Sequence, residues 1–170
     1  MKFKIFFCAS ALFLIFNAFT FESLDNSEIE PTTLIIVRHA EKNNETDTTT
    51  LTPQGYQRAD RLAQWLKNVD LAAIYTTPYV RMKLTATPTS MQKNLPLQEY
   101  APKEMGEIAR IISTNAGKNV LVVGHGNFIH EIVNHYCGSA LKQLEGYNDI
   151  FVLKILDPQK NTNQCFRFYY

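Results

Sequence analysis

The sequence has little net charge, few cysteines and only one long apolar run. Its 17 basic and 16 acidic residues leave a net charge of +1, so nothing favours nucleic acid or an anionic membrane surface as a partner. None of the three cysteines lies in a metal-binding spacing. With 45% hydrophobic and 19% charged residues in 170 positions, the composition is typical of one folded globular domain.

The long apolar run lies at the N-terminus. Two lysines precede the apolar segment Ile5–Phe19, which at about fifteen residues is shorter than a membrane-spanning helix of roughly twenty. This layout predicts a signal peptide over residues 1–20, a linker over residues 21–32 and a folded domain over residues 33–170. We therefore expect an exported protein, periplasmic or secreted, without a stable membrane span. An uncleaved N-terminal membrane anchor is the alternative.

Export would leave Cys137 and Cys165 in the folded domain. An oxidising compartment permits a disulfide between them, but the sequence does not show how far apart they lie. A disulfide and two free thiols are both compatible with the pattern.

Apolar β-branched segments alternate with segments of helical periodicity along the domain. Strands are predicted at residues 33–37, 72–75, 120–123, 150–156 and 165–170, with a brief strand within 95–100. Four helices are predicted. The first begins at Pro53, with Thr52 as its cap and Arg58 facing solvent, and the second runs from after Pro78 as far as Thr87, with Pro88 as the break. The third covers residues 103–116, and the fourth covers residues 127–136, before Gly138. The alternation predicts an α/β fold, a three-layer sandwich with a mainly parallel central sheet flanked by helices.

Four residues with chemical potential follow the predicted strands. Arg38 and His39 leave the first strand, Arg81 begins the helix after the second strand, and His125 follows the strand at 120–123 between two glycines. Ligands bind beyond the carboxyl ends of the strands in such a sheet. We therefore expect these four side chains to line one pocket.

Two arginines and two histidines in one pocket favour a tetrahedral oxyanion as the ligand. Guanidinium groups match the edges of a phosphate, and the amides that begin the helix after His125 add favourable dipoles for an anion. A metal ion is disfavoured, since two guanidiniums would repel it. A neutral imidazole between arginines is a competent nucleophile for phosphoryl transfer.

The residues around these positions resemble the histidine phosphatase superfamily, also called phosphoglycerate-mutase-like, in its small single-domain branch. The blocks stand in family order over roughly residues 33–156. They are Ile35–Glu41 (IIVRHAE), Leu51–Gly55 (LTPQG), Ile74–Pro78 (IYTTP), Arg81, Thr85 with Ala86, and Val122–Asn127 (VVGHGN).

The resemblance implies that His39 accepts the phosphoryl group. It also implies that Arg38, Arg81 and His125 hold the phosphate oxygens, with Asn127 as a further substrate-binding residue. No organic cofactor and no metal are implied, and the implied substrate is a small phosphorylated molecule.

The sequence departs from the family pattern in two places. Ala40 stands where many members carry glycine, and Gly126 follows His125 where the acid-phosphatase and phytase branches carry aspartate. The resemblance to the mutase-like and small-phosphatase branches implies instead a proton donor between the second arginine and the second histidine, where Glu99 is the first candidate and Glu104 the second.

These features predict a metal-independent phosphatase that hydrolyses phosphate monoesters through a phosphohistidine on His39. Two alternatives stay open. One is a catalytically weak or inactive phosphate-binding protein of the same fold. The other is a protein phosphohistidine phosphatase, although export would separate the chain from cytosolic phosphorelay substrates. The sequence identifies neither the physiological substrate nor the oligomeric state.

Overall fold

The computed structural model describes residues 31–157 and 163–170. The predicted signal peptide and most of the predicted linker lie outside the described residues. The elements of the described part are β1 (Thr32–Arg38), α1 (Pro53–Trp65), β2 (Leu71–Thr76), α2 (Val80–Lys93), β3 (Leu97–Glu99), α3 (Met105–Thr114), β4 (Asn119–Gly124), α4 (Gly126–Cys137), β5 (Asp149–Ile155) and β6 (Gln164–Tyr169). No helix in these two ranges has the length and apolarity needed to cross a bilayer.

A six-stranded mixed sheet organises the fold, with the strand order β3-β2-β4-β1-β5-β6. β3, β2, β4 and β1 pair in parallel, whereas β5 is antiparallel to β1 and β6 is antiparallel to β5. The predicted α/β fold is therefore confirmed, but the prediction of a mainly parallel sheet is only partly right. Eight residues separate β5 from β6, too few for the crossover that a parallel pair requires.

Both faces of the sheet are covered by helices. On β1, Leu34 and Ile36 belong to a core cluster shared with α3 and α4. The alternating Ile35 and Val37 belong to a second cluster shared with α1 and α2. Successive side chains of a strand point to opposite faces, so the continuous apolar run of β1 matches a strand buried on both sides.

The helix ends follow the predicted capping signals. The Thr52 hydroxyl accepts a hydrogen bond from the Gly55 amide at 3.0 Å, and Pro53 occupies the first helical position of α1. At the other end of the chain, α4 stops at Gly138, which has a left-handed φ of 59°. Such a φ favours glycine because the residue lacks a Cβ atom.

The predicted helix break at Pro88 is wrong, because α2 continues through this proline to Lys93. A proline removes one backbone donor from a helix, but contacts beyond it hold the last turn in place. Thr89 is fully buried, and the Lys93 ammonium donates to the carbonyls of Lys67 and Val69 at 2.8 and 2.6 Å. Tertiary contacts therefore compensate for the missing hydrogen bond.

The predicted exposure of Arg58 is also wrong. Arg58 is 8% exposed, and its guanidinium donates to both carboxylate oxygens of Glu41 at 2.7 to 2.9 Å. Its Nη1 donates to the Tyr170 carbonyl at 3.0 Å. Helical periodicity places Arg58 beside solvent-facing neighbours, but the loop after β1 and the end of the chain cover it.

Cys137 and Cys165 form a disulfide in the structure, which decides between the two alternatives left open by the sequence. Their Cα atoms lie 6.1 Å apart, within the ordinary range for such a bond. The bridge joins the end of α4 to the beginning of β6.

Candidate active site

Three neighbouring strands deliver the candidate residues to one edge of the sheet. Arg38 and His39 lie at the end of β1, His125 follows β4, and Arg81 lies in the first turn of α2, just after β2. These strands are parallel, so their carboxyl ends meet at the same edge. The imidazole centroids of His39 and His125 are 6.1 Å apart. The structure thus brings together the four residues that the sequence singled out.

His39 is buried and held in one tautomer. It is 3% exposed, and its Nδ1 lies 2.8 Å from the carbonyl oxygen of Ala40. A carbonyl can only accept, so this contact places the proton on Nδ1 and leaves a lone pair on Nε2. Burial lowers the pKa of His39 to about 3, and the charges of Arg38 and Arg81 act in the same direction. At neutral pH the side chain is an uncharged imidazole.

His125 forms the N-cap of α4, and its Nε2 lies 3.2 Å from the Thr77 hydroxyl. The pKa of His125 is lowered to about 4, mainly by burial and further by the charges of Arg81, Lys103 and Arg38. Both histidines are therefore neutral between the two arginines. Among the four candidate residues, the positive charge is therefore carried by the two guanidiniums.

The Arg38 guanidinium is fixed by a turn from a distant part of the chain. Its Nη1 donates to the carbonyls of Leu144, Glu145 and Gly146 at 3.0, 2.7 and 3.2 Å. The guanidinium carbon lies 4.3 Å from the centre of the Tyr147 ring. The Nε atom is buried and has no hydrogen-bond partner among the described residues.

Gly126 is required where this turn approaches α4. A Cβ atom at Gly126 would lie 2.8 Å from the Leu144 carbonyl oxygen and 3.0 Å from Arg38 Nε. Such distances are too short for a side chain unless the backbone moves. The glycine after His125 therefore allows the turn and the arginine to pack against the start of α4.

Arg81 is also buried without an acidic partner. Its Nη1 donates to the Thr46 carbonyl at 3.3 Å, its guanidinium carbon lies 4.7 Å from the Tyr79 ring centre, and its Nε is buried without a partner among the described residues. Within residues 31–157 and 163–170, neither Arg81 nor Arg38 forms an ion pair with a carboxylate. Two such guanidiniums favour an anion as the occupant of the pocket.

The remaining candidates lie outside this set of contacts. Glu99 ends β3, is about half exposed and forms an ion pair with Lys83 at 2.5 Å. Glu104 is exposed at the N-cap of α3 and makes no capping hydrogen bond. Asn127 is half-buried in the first turn of α4, two residues after His125. Among the described residues, no hydrogen bond or ion pair joins Glu99 to either histidine.

Several contacts around the pocket come from residues that sequence reasoning did not select. Tyr147 packs against His39, with ring centroids 5.6 Å apart, and Tyr79 packs edge-on against His125 at 5.0 Å. The Thr85 hydroxyl accepts from the Ala40 amide at 2.9 Å and so ties the loop after His39 to α2. The charge of Asp47 raises the pKa of His125, but burial lowers this pKa by a larger amount. Tyr79 and Thr85 stand inside or beside the matching blocks, but nothing local marks Tyr147.

The fold and this pocket define a class of α/β protein with two histidines and two arginines at the carboxyl edge of the sheet. The family model of the histidine phosphatase superfamily (branch 1) matches residues 34–108, a range that includes Arg38, His39 and Arg81 and ends before His125. This match confirms the resemblance to the histidine phosphatase superfamily that the motifs predict. No curated protein sequence matches the chain.

Solved structures of this fold are similar to the chain over most of their length. The protein histidine phosphatase SixA complexed with tungstate has a TM-score of 0.67 and 18% identity, and the match covers 81% of this chain and 96% of that one. Phosphoserine phosphatase from Entamoeba histolytica, in complex with 3-phosphoglyceric acid, has a TM-score of 0.57 and 19% identity, covering 72% and 90%. Phosphoglycerate mutase from Bacillus anthracis str. Sterne has a TM-score of 0.61 and 16% identity, covering 78% and 96%. At these identities the likeness concerns the fold.

Proposed function

We propose that the protein is a phosphatase that hydrolyses phosphate monoesters through a phosphohistidine on His39, without a metal ion. The observation that carries this proposal is the state of His39. Its Nε2 is unprotonated and buried beside two guanidiniums that have no carboxylate partner among the described residues. This arrangement suits a nucleophile that attacks a bound phosphate dianion. The superfamily and its phosphatase members of similar fold support the same reaction class.

The reaction has two steps. In the first, the Nε2 lone pair of His39 attacks phosphorus, an N–P bond forms and the P–O bond to the leaving group breaks. The leaving oxygen takes a proton from a general acid. In the second step, water attacks phosphorus and gives a proton to the conjugate base of the general acid, the N–P bond breaks, and phosphate and neutral His39 are released. Arg38, Arg81 and His125 hold the phosphate oxygens and stabilise the charge that they carry in both transition states.

The purified protein is expected to hydrolyse p-nitrophenyl phosphate in the presence of a chelator. The protein should stay active at pH values well below 6.5, since the pKa values of His39 and His125 are lowered to about 3 and about 4. Both side chains are active when neutral, so protonation removes activity only as the pH falls through those values. The measurement is kcat/KM against pH, which reports the pKa values of the free enzyme, corrected for the ionisation of the substrate.

Three results would contradict the proposal. A requirement for added divalent metal would exclude metal independence. An acid limb near pH 6.5 would mean that the nucleophile titrates as an ordinary histidine and is not held neutral by the pocket. Absence of any hydrolysis, together with phosphate binding in calorimetry, would favour the phosphate-binding alternative.

The identity of the proton donor is tested by the dependence on the leaving group. We propose Glu99, at the carboxyl end of β3, and expect Glu99→Gln to lower kcat/KM for an alkyl phosphate by about 10²-fold, the low end for general acid catalysis. The loss for p-nitrophenyl phosphate should be less than about threefold, since nitrophenolate needs little protonation. Steady-state kinetics on both substrates provide the measurement.

Glu104→Gln and Asp47→Asn are the matched controls for this prediction. Glu104 is the second candidate, and Asp47 is the acid whose charge acts on His125. If the loss specific to the alkyl phosphate occurs only in one of these control variants, the residue changed in that variant is the proton donor. Equal losses on both substrates in Glu99→Gln would show that Glu99 supports the structure through Lys83 and donates no proton.

Protein phosphohistidine phosphatase is the second candidate function, favoured by the likeness in fold to SixA over 96% of its chain. Release of phosphate from a phosphorylated histidine protein, faster than from alkyl phosphates, would support this candidate.

A further inference from the structure

The two catalytic histidines stand in the middle of a row of four aromatic rings. From end to end the rings are Tyr147, His39, His125 and Tyr79, with successive centroids 5.6, 6.1 and 5.0 Å apart. All three spacings lie in the contact range of aromatic pairs, about 4.5–7 Å. A tyrosine thus closes each end of the row.

Each tyrosine also stacks on one of the two arginines. The guanidinium carbon of Arg38 lies 4.3 Å from the Tyr147 ring centre, and that of Arg81 lies 4.7 Å from the Tyr79 ring centre. These are cation–π distances. The two rings come from separate loops, one between β2 and α2 and the other between α4 and β5, so two distant parts of the chain supply the tyrosines that contact the arginines.

The rings lie where a leaving group must pass. In-line displacement sends the leaving oxygen away from the attacking Nε2, and His39 is 3% exposed, so the departing group points outward to the mouth of the pocket. Tyr79 and Tyr147 are half-buried, so each residue is partly accessible beside the histidine and the arginine that its ring contacts.

Two residues of opposite charge act on His125 from beside the pocket. Lys103 lowers the pKa of His125, whereas Asp47 raises it, so a cation and an anion both lie close enough to act on the same imidazole. Of the two charges, that of Lys103 has the larger effect. The apolar ring surfaces are a separate feature, which discriminates between leaving groups by aromatic contact.

We infer that Tyr79 and Tyr147 bind the leaving group and make the pocket selective for phosphate esters of aromatic alcohols. This inference rests on the proposed function for the identity of the leaving group. The binding preference itself needs no turnover, since it arises from aromatic contact beside the phosphate site.

The test compares phenylphosphonate with methylphosphonate by calorimetry, because both carry the anionic group and neither can be hydrolysed at a P–O ester bond. Wild-type protein should bind phenylphosphonate about tenfold more tightly, the combined effect of two ring contacts. Tyr147→Ala and Tyr79→Ala should each reduce this preference about threefold, while Tyr147→Phe and Tyr79→Phe retain it. Tyr169→Ala is the matched control, since Tyr169 is 63% exposed on β6.

Equal affinity of the wild-type protein for the two phosphonates would overturn the inference without any variant. Equal losses for both ligands in the alanine variants would also overturn it, because the rings would then serve only to position the arginines. A phenyl preference in a protein that hydrolyses nothing would leave the inference in place and refute the proposed function. Hydrolysis through a phosphohistidine without a preference for the phenyl ligand would support the proposed function and overturn the inference.

Discussion

His39→Ala is expected to lower kcat for p-nitrophenyl phosphate by roughly 10³-fold or more, the scale of loss when a nucleophile is removed. The Nε2 lone pair that the Ala40 carbonyl keeps free has no substitute in the variant. Binding of inorganic phosphate should persist, because the buried donors of Arg38 and Arg81 remain. Loss of turnover with retained binding distinguishes a nucleophile from a residue that only holds the ligand.

The same variant should form no phosphoenzyme. Wild-type protein mixed with substrate and denatured within milliseconds should carry phosphate that is stable in base and released in acid, as phosphohistidine is. His135→Ala, at an exposed position of α4, is the control and should label as the wild type does. A phosphoenzyme that persists in His39→Ala, or label on another residue, would refute the proposed route.

The central site could be predicted because local signals and sheet topology agree. The β-branched run of β1 and the apolar run of β4 mark buried strands, and parallel pairing brings their carboxyl ends together. Arg38, His39 and His125 therefore converge wherever the strands form. Arg81 follows from the short turn that joins β2 to α2.

The surroundings of the site could not be predicted in the same way. Tyr147 reaches His39 from a loop 108 positions further along the chain, and the path of that loop depends on three backbone carbonyls that accept from Arg38. Backbone acceptors leave no mark in a sequence, since every residue carries one. For the same reason the Thr46 carbonyl on Arg81 could not be foreseen.

The two errors in the helices have one physical origin. Local rules predict that Pro88 breaks the helix and that the charge of Arg58 faces solvent. In both cases tertiary contacts override the local preference: buried Thr89 beyond the proline, and Glu41 opposite the arginine. Such partners lie far away in sequence and carry no periodic signal.

Arg58→Met is expected to lower the free energy of unfolding by about 3 kcal/mol, the lower end for breaking a buried ion pair. The side chains of Arg58 and Glu41 are only 10% and 14% exposed, so the variant leaves the Glu41 carboxylate in a poorly hydrated position. The same change removes the hydrogen bond to the Tyr170 carbonyl. Urea unfolding at pH 7 provides the measurement.

The double variant Glu41→Gln with Arg58→Met separates the unpaired charge from lost packing. Removing both charges should cost less than the sum of the single changes, because no carboxylate is left without its partner.

The pH dependence of the stability difference between wild type and Arg58→Met has a definite sign. Burial opposes ionisation of Glu41, but the hydrogen bonds and charge of Arg58 outweigh it and hold the pKa below 4.5. The stability gap between wild type and Arg58→Met should therefore be largest at neutral pH, where Glu41 is ionised in both proteins, and shrink as the pH falls and this carboxyl becomes protonated. A gap that is constant from pH 7 to pH 3, or strictly additive single effects, would show that Arg58 stabilises the fold through packing alone.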